Sequence, residues 1–204
     1  MQGFILKVTK VRDEDCIVSI LTNSEMLETY RFYGARHSNI TQGFKIDFEL
    51  QSDIKFLPKL RGVMHLGFSW LTNRDKMLFW QQLMRLFYAH LKGTGSVDGF
   101  YFDMLENCAQ KFGKQNPKRL IIETYAQILD FEGRLHKDKI CFICDNEISD
   151  EIALARAFLP AHGNCINKNT INFDKLLEFY ETKKSINLND GEVNYLYSIV
   201  LEGF

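Results

Sequence analysis

The sequence has little of what marks disordered, exported or membrane proteins. Three prolines stand against seventeen phenylalanines in 204 residues, a composition that favours a buried core over disorder. No apolar run approaches the ~18 residues of a membrane span, and the N-terminus lacks the flanks of a signal peptide. We therefore expect a cytoplasmic protein with no membrane partner. Its five cysteines are then expected to be thiols or metal ligands rather than disulfides.

The usual motifs of catalysis are missing as well. The chain has no glycine-rich phosphate loop, no G-x-S-x-G and no H-E-x-x-H sequence. A nucleophile built from Cys165 and His162 is conceivable, but the nearby C-x2-C sequence makes metal ligation the better interpretation. We expect no enzymatic activity.

The net charge of −1 hides an uneven distribution of charge. Residues 1–70 carry nine Lys and Arg against eight Asp and Glu, residues 111–139 carry seven against four, and residues 141–204 carry five against ten. This pattern excludes a general DNA coat that relies on charge alone. Any nucleic-acid contact must come from local patches, and it should weaken with salt.

Alternation of apolar and polar residues predicts five short strands in the first 70 residues. The clearest is 44–50, where Phe44, Ile46 and Phe48 alternate with Lys45 and Asp47. The other predicted strands are 4–9, 16–21, 29–33 and about 60–68. Five short strands suit a small closed barrel, either an oligonucleotide-binding (OB) fold or an SH3-like barrel.

From residue 72 the apolar period becomes helical. Helices are predicted at about 73–92, 97–112, 117–132, 173–180 and 189–201, and residues 151–158 fit a short helix or a strand. The predicted fold class is α+β. It has an OB-like, nucleic-acid-binding domain at 1–70 and an all-helical domain at 71–204, which carries a zinc-finger-like insert at 139–168.

The insert carries a spacing that is typical of zinc sites. Cys141-x2-Cys144 is followed after 17 residues by His162-x2-Cys165. Two close pairs of soft ligands on tight turns can surround one tetrahedral zinc ion, and four protein ligands make the site structural. In the alternative interpretation the cysteines bind no metal, and apolar packing holds the insert through Phe142, Ile143, Phe158 and Leu159.

Cations and aromatic residues occur together on the predicted barrel. Binding of single-stranded DNA needs cations along a groove and aromatic faces for the bases. The candidate DNA-binding residues are Lys7, Lys10, Arg12, Arg31, Tyr33, Arg36, His37 and Lys45, which is expected to point outward on its strand. Arg36 is the strongest individual candidate. The alternative is an ordinary solvated face.

A second basic patch follows around the turn between the second and third helices. It comprises Lys111, Lys114, Lys118 and Arg119, and Arg134, His136, Lys137 and Lys139 come next. The patch can receive an acidic peptide of a partner or extend the DNA path. A solubilising loop accounts for it equally well.

The order of these parts resembles the bacterial recombination-mediator family RecO. Gly34-Ala35-Arg36 near Ser38 resembles the family's turn in the barrel, and Thr22 ends a strand where the family has a threonine. The segment from Tyr125 to Gly133 is similar to the helix that leads into the family's zinc insert, which Cys141 then begins.

The resemblance implies a DNA-repair protein that binds single- and double-stranded DNA and anneals complementary strands. It implies that RecR is a partner, that the acidic tail of single-strand-binding protein (SSB) is bound, and that the RecA recombinase is loaded indirectly. One departure concerns the metal, because Lys168 stands where the family often has a last cysteine. The rival functions are a protein-interaction adaptor with an SH3-like barrel and a metal-dependent hydrolase.

Overall fold

Five strands close into a barrel at the start of the chain. The computed structural model describes residues 1–52 and 55–204. Within these ranges the strands of the barrel are β1 (Gln2–Lys10), β2 (Cys16–Leu21), β3 (Met26–Arg31), β4 (Lys45–Gln51) and β5 (Lys59–His65). They neighbour one another in the order β1-β2-β3-β5-β4, and β4 returns to β1. The predicted five-stranded OB-like barrel is confirmed.

One joint of the barrel differs from the others. β3 and β5 run parallel and pair through Tyr30 and Lys59, whereas the other four pairs are antiparallel. The backbone N–H of Tyr30 also donates to the Pro58 carbonyl at 2.9 Å. This β3–β5 joint closes the barrel between segments that are far apart in the chain.

The barrel interior is filled from alternate positions of its strands. Its core includes Ile5, Val18, Ile46, Phe48 and Leu60, each at most 1% exposed. β1 is buried on both faces, because Phe4 points away from this core and packs edge-on against Trp80, with ring centroids 6.0 Å apart. A strand that is covered on both faces needs apolar residues at successive positions, which explains the weaker alternation of β1.

Two helices pack with the barrel. They are α1 (Arg74–Leu91) and α2 (Gly99–Phe112). The side chain of Asn73 caps α1 by accepting from the Lys76 N–H, and Asp98 caps α2. The indole of Trp80 on α1 donates to the Gly43 carbonyl at 2.7 Å. Gly43 has φ of +94°, and a Cβ there would lie 2.7 Å from the Trp80 ring, so the contact requires glycine.

The chain forms two compact units, Met1–Lys114 and Gln115–Phe204. The first therefore includes α1 and α2 with the barrel. The sequence boundary between residues 70 and 71 marks the change from strands to helices, and it remains a prediction about domains. Within the described ranges, no helix combines the length and apolarity that crossing a membrane requires.

The second unit combines helices with a small sheet. Its elements are α3 (Pro117–Phe131), β6 (Glu151–Leu154), β7 (Pro160–Ala161), α4 (Gly163–Ile166), β8 (Ile171–Asn172), α5 (Phe173–Thr182) and α6 (Asp190–Val200). A capping box begins α6, since the side chains of Asn189 and Glu192 each accept from the other's backbone N–H. The alternatives at residues 151–158 are resolved as strand β6 followed by a 3-10 turn. The sheet has the order β7-β6-β8. β6 and β7 lie within the predicted insert, whereas β8 adds a strand to the part predicted as helical.

Candidate metal centre and nucleic-acid interface

A tight turn presents the first two sulfur ligands of the insert. The N–H of Asp145 donates to the Cys141 carbonyl at 2.9 Å, and the N–H of Cys141 donates to the Asn146 carbonyl at 3.0 Å. Asp145 takes a positive φ of 57°, which reverses the chain after Cys144. Both thiols of the C-x2-C sequence therefore face the same side of the turn, as a shared metal ion needs.

The second pair of ligands lies at the start of a helical turn. His162 is the residue before α4, and Cys165 lies within it. The N–H of Cys165 donates to the His162 carbonyl at 3.0 Å, so one turn of backbone fixes the two side chains relative to each other. The two pairs are brought together within the second unit, and all four predicted ligands converge.

The distances between the ligand atoms suit tetrahedral coordination. All four lie within 4.8 Å of one another. The Sγ of Cys144 is 3.4 Å from Nδ1 of His162 and 4.0 Å from Sγ of Cys165, which is 3.8 Å from the same Nδ1. A tetrahedron with metal–sulfur bonds of ~2.3 Å and a metal–nitrogen bond of ~2.0 Å has edges of roughly 3.5 to 3.8 Å. The three distances among Cys144, His162 and Cys165 lie within about 0.3 Å of these edges, and the four side chains can bind a metal ion.

Hydrogen bonds prepare the histidine for ligation. Nε2 of His162 lies 3.1 Å from the Glu147 carbonyl, which can only accept, so Nε2 carries the proton. The lone pair is then on Nδ1, the atom that faces the sulfurs. A backbone carbonyl that orients a ligating imidazole in this way is a recurrent feature of metal sites.

Cys141 and Cys165 have opposite pKa shifts. Burial opposes ionisation of Cys141, but the backbone N–H groups of His162, Ile143 and Cys144 stabilise its thiolate and lower its pKa to about 6. Burial, followed by the neighbouring sulfurs, raises the pKa of Cys165 to about 11. Hydrogen bonding to Cys141 raises the pKa of His162. Without a cation the cluster therefore favours a thiolate at Cys141 over one at Cys165, and a divalent cation would supply the charge that ionises Cys165.

Apolar packing holds part of the insert. Phe158 is fully buried, whereas Phe142 and Ile143, between the two cysteines, are 41% and 54% exposed and do not anchor the turn in a core. Lys168, which stands in place of a cysteine ligand, forms an ion pair with Glu202 and lies outside the cluster.

The barrel surface places Arg36 beside an aromatic ring. Residues Gly34–Arg36 form a 3-10 turn, and Tyr33 before it takes the left-handed conformation with φ of 52°. The N–H of Tyr33 donates to Asp15 at 2.7 Å, which holds the turn against the β1–β2 loop. The guanidinium of Arg36 lies 5.5 Å from the Tyr33 ring and forms an ion pair with Glu14. Both side chains remain open to solvent, and a surface ion pair of this kind is weak.

Two of the predicted DNA-binding cations are held within the fold. Nη1 of Arg31 donates to the Leu60 carbonyl at 2.8 Å, and burial, followed by the nearby charge of Arg61, lowers the pKa of Arg31. Lys45 points away from the barrel core, as alternation predicts, but it is not free at the surface. Its Nζ forms an ion pair with Glu106 of α2 at 2.7 Å, and its side chain is 14% exposed. α2 covers the start of β4 at Lys45, whereas Asp47 on the same face is 42% exposed, and sequence alternation cannot reveal this local cover.

The other predicted barrel residues lie at the surface in separate places. Lys7 is exposed on β1 and lies 4.5 Å from the ring of Tyr88 on α1. Lys10, Arg12 and His37 are exposed at the end of β1 and in the loops. The structure does not gather all eight candidates into one patch.

The barrel also carries an aromatic groove that the sequence pattern does not indicate. It has a volume of about 560 Å³ and is lined by Val11, Arg12, Tyr30, Phe32, Phe56, Leu57 and Lys59. Phe56 lies between the predicted strands, where the alternation pattern gives no information. The available signal is a phenylalanine flanked by Lys55 and, three residues on, by Lys59.

The second basic patch divides between the two units. Lys111 and Lys114 are exposed near the end of the first unit. In the second unit, Nζ of Lys118 donates to Asn194 at 2.6 Å, and the guanidinium of Arg119 donates to the carbonyls of Ser185 and Leu188. The next cations, Arg134, Lys137 and Lys139, form ion pairs with Glu132, Asp130 and Asp150. A single cationic surface made from these residues stays a prediction.

Comparison with known proteins gives a family match for the barrel. Residues 1–71 match the family model described as RecO N terminal. No curated protein matches the chain. The family match covers the five strands and the Gly34–Arg36 turn, supports membership of the RecO family, and indicates a role in DNA repair or recombination.

Proposed function

We propose, from the match of residues 1–71 to the RecO N-terminal family model, that the chain is a recombination mediator of the RecO family. It binds DNA, anneals complementary single strands and helps to load a recombinase onto SSB-coated single-stranded DNA. It works in the cytoplasm and makes or breaks no covalent bond. The observation that carries the proposal is the closed five-stranded barrel that matches the family and exposes cations beside aromatic rings.

The barrel holds a strand through its phosphates. Arg12 and Arg36 are exposed near the aromatic rings of Phe32 and Tyr33 and can contact the backbone without leaving a buried partner. Each phosphate contact releases a counterion, so affinity falls as salt rises. Neutralising two complementary strands on one surface lowers the repulsion between them, and annealing follows from this without catalysis of a chemical step.

Partners are proposed from the family. RecR and the acidic tail of SSB bind directly, RecA is reached indirectly, and double-stranded DNA binds besides single strands. Lys111 and Lys114, which are exposed, are the better candidates for an acidic tail. Lys118 and Arg119 are bonded within the second unit and are weaker candidates.

We propose zinc as the metal of the insert. Three cysteines and one histidine are a common ligand set for structural zinc, and four protein ligands leave no position for a reacting water. Bound zinc would hold the C-x2-C turn against α4 and so stabilise the insert. This assignment disfavours the metal-dependent hydrolase, which needs an open coordination position.

Binding of labelled single-stranded DNA across a salt series tests the function. We expect the affinity to fall linearly on a logarithmic plot against salt, and Arg36→Ala to reduce the slope by about 0.7, the value for one single-strand phosphate contact. Lys92→Ala, which removes an exposed cation at the end of α1, is the matched control. Arg31→Ala is unsuitable, because it also removes the bond to Leu60.

Two results would contradict the proposal. Absence of binding at low salt would favour the adaptor with an SH3-like barrel. Binding without any acceleration of annealing between complementary labelled strands would leave a DNA-binding protein that is not a mediator of this kind.

A further inference from the structure

The groove beside the β3–β5 joint has the composition of a base-binding site. Its walls are aromatic and aliphatic, and the ring of Phe56 is 75% exposed while Phe32 is 40% exposed. A ring exposed to that degree contributes little to the barrel core. The rings of Tyr30 and Phe32 meet edge to face with centroids 5.0 Å apart, which holds Phe32 in place in the groove wall.

Cations stand at the edge of these rings. Nζ of Lys59 and the guanidinium of Arg61 each lie 5.9 Å from the centroid of Phe32, and Arg12 lines the groove directly. Among the described residues that line the groove, none is acidic. The groove therefore attracts a ligand that carries negative charge beside flat apolar groups.

The carboxylate of Asp15, beside the groove, already accepts two hydrogen bonds from the protein. Asp15 accepts from the Tyr30 hydroxyl at 2.6 Å and from the Tyr33 N–H at 2.7 Å. It orients the aromatic wall and joins the groove to the turn that carries Arg36. The groove and the Tyr33–Arg36 pair are thus tied together by one side chain.

We propose that this groove takes unpaired nucleobases, with Phe56 and Phe32 as the stacking faces and Arg12, Lys59 and Arg61 beside the phosphates. The inference rests on the proposed function and deepens it, because it makes the binding depend on bases and not on charge alone. An unpaired strand alternates flat rings with phosphates, which matches rings in the wall and cations at the rim. Bases of a duplex are stacked on one another and cannot enter.

Substitution of Phe56 separates stacking from charge. Two probes of equal length are used at fixed salt, a labelled oligothymidine and the same strand with abasic sites in place of the bases. We expect Phe56→Ala to weaken binding of the oligothymidine by about 5-fold to 150-fold, the loss of one stacked base. Binding of the abasic strand and the salt slope should stay unchanged, since no phosphate contact is removed.

Three further variants sharpen the test. Phe56→Trp should retain or increase the affinity, whereas Phe56→Leu, which keeps apolar area without an aromatic face, should lose it. Met64→Ala is the control, because Met64 is 56% exposed on β5 and does not line the groove. A thermal melt of each variant checks that the barrel is folded.

The outcomes distinguish the groove from the function. If the wild type binds single strands and Phe56→Ala binds them equally, the groove is refuted and the proposed function stands. Equal affinity of the wild type for the abasic and normal strands would also refute the groove and leave the proposed function standing. If the wild type binds neither, both proposals fail. If Phe56→Ala abolishes binding of an acidic aromatic peptide but not of DNA, the groove is a peptide site and the inference is overturned.

Discussion

Arg119 belongs by sequence to a basic patch, and the structure gives it a different role that can be measured. Its guanidinium donates to the carbonyls of Ser185 and Leu188 and pairs with Asp190 at 2.9 Å. The side chain is only 27% exposed. It therefore ties α3 to the segment that leads into α6, and we expect Arg119→Ala to destabilise the second unit.

The magnitude follows from the kinds of bond that are lost. A hydrogen bond from a charged donor contributes about 1.5 to 3 kcal/mol, and two carbonyls lose such a donor. The pair with Asp190 adds little, because that carboxylate is 89% exposed. Since the bonds share one side chain and water can replace part of them, we expect a loss of about 3 kcal/mol in the free energy of unfolding.

The neighbouring Lys118 provides the control on the same helical turn. Its Nζ donates to the exposed Asn194 and lies over the ring of the buried Tyr197. Lys118→Ala removes one surface hydrogen bond and one cation–π contact, so it should cost about 1 kcal/mol or less. Urea unfolding followed by circular dichroism measures both variants. If Arg119→Ala unfolds within about 0.5 kcal/mol of the wild type and instead lowers the salt slope of DNA binding, the structural role is refuted and the patch interpretation is correct.

Three further predictions concern the barrel, the metal and pH. Gly43→Ala should lower the free energy of unfolding by about 2 to 4 kcal/mol, because the new Cβ would overlap the Trp80 ring and the backbone has a positive φ. Gly93→Ala is the control in the same urea titration: it also has a positive φ, of +82°, but open space around it, so it should cost about 1 kcal/mol. Cys144→Ser should reduce zinc from one equivalent per chain to nearly none in elemental analysis of the purified protein, and an unchanged zinc content would remove Cys144 from the site. The pKa of Asp15 is lowered by the hydrogen bonds it accepts, so its stabilising effect is complete above pH ~4 and disappears as pH falls through the folded pKa. Asp15→Asn should therefore be less stable than the wild type at neutral pH, with a difference that vanishes in acid melts.

Features governed by local rules can be predicted from the sequence. β4 follows from strict alternation, and the first helix follows from its cap at Asn73 and its apolar stripe. The candidate metal ligands are predictable because each pair lies on one turn, and the spacing within the pair fixes its geometry. Cys141 and His162 are distant in the chain, but two pairs of soft ligands in one small insert can bind the same metal ion, which indicates that the pairs lie close together.

Features that depend on packing between distant segments cannot be predicted in this way. Alternation places Lys45 opposite the core, yet it cannot tell that Glu106, far along the chain, forms an ion pair with Lys45 there. Arg31 and Arg119 occur in basic stretches, and only the fold shows that carbonyls on other segments accept their hydrogen bonds. The groove cannot be predicted from the sequence for the same reason, because Phe56 forms a groove wall only when the fold places it beside Tyr30 and Phe32.

The β3–β5 joint links the stability of the barrel to its occupancy. Tyr30 and Lys59, the pair that joins these strands, also line the groove, one on each side. A DNA strand bound in the groove would contact both β3 and β5 and so stabilise the joint between them. By thermodynamic linkage, part of the affinity for nucleic acid then appears as a higher melting temperature of the barrel, and any weakening of this closure lowers that affinity in return.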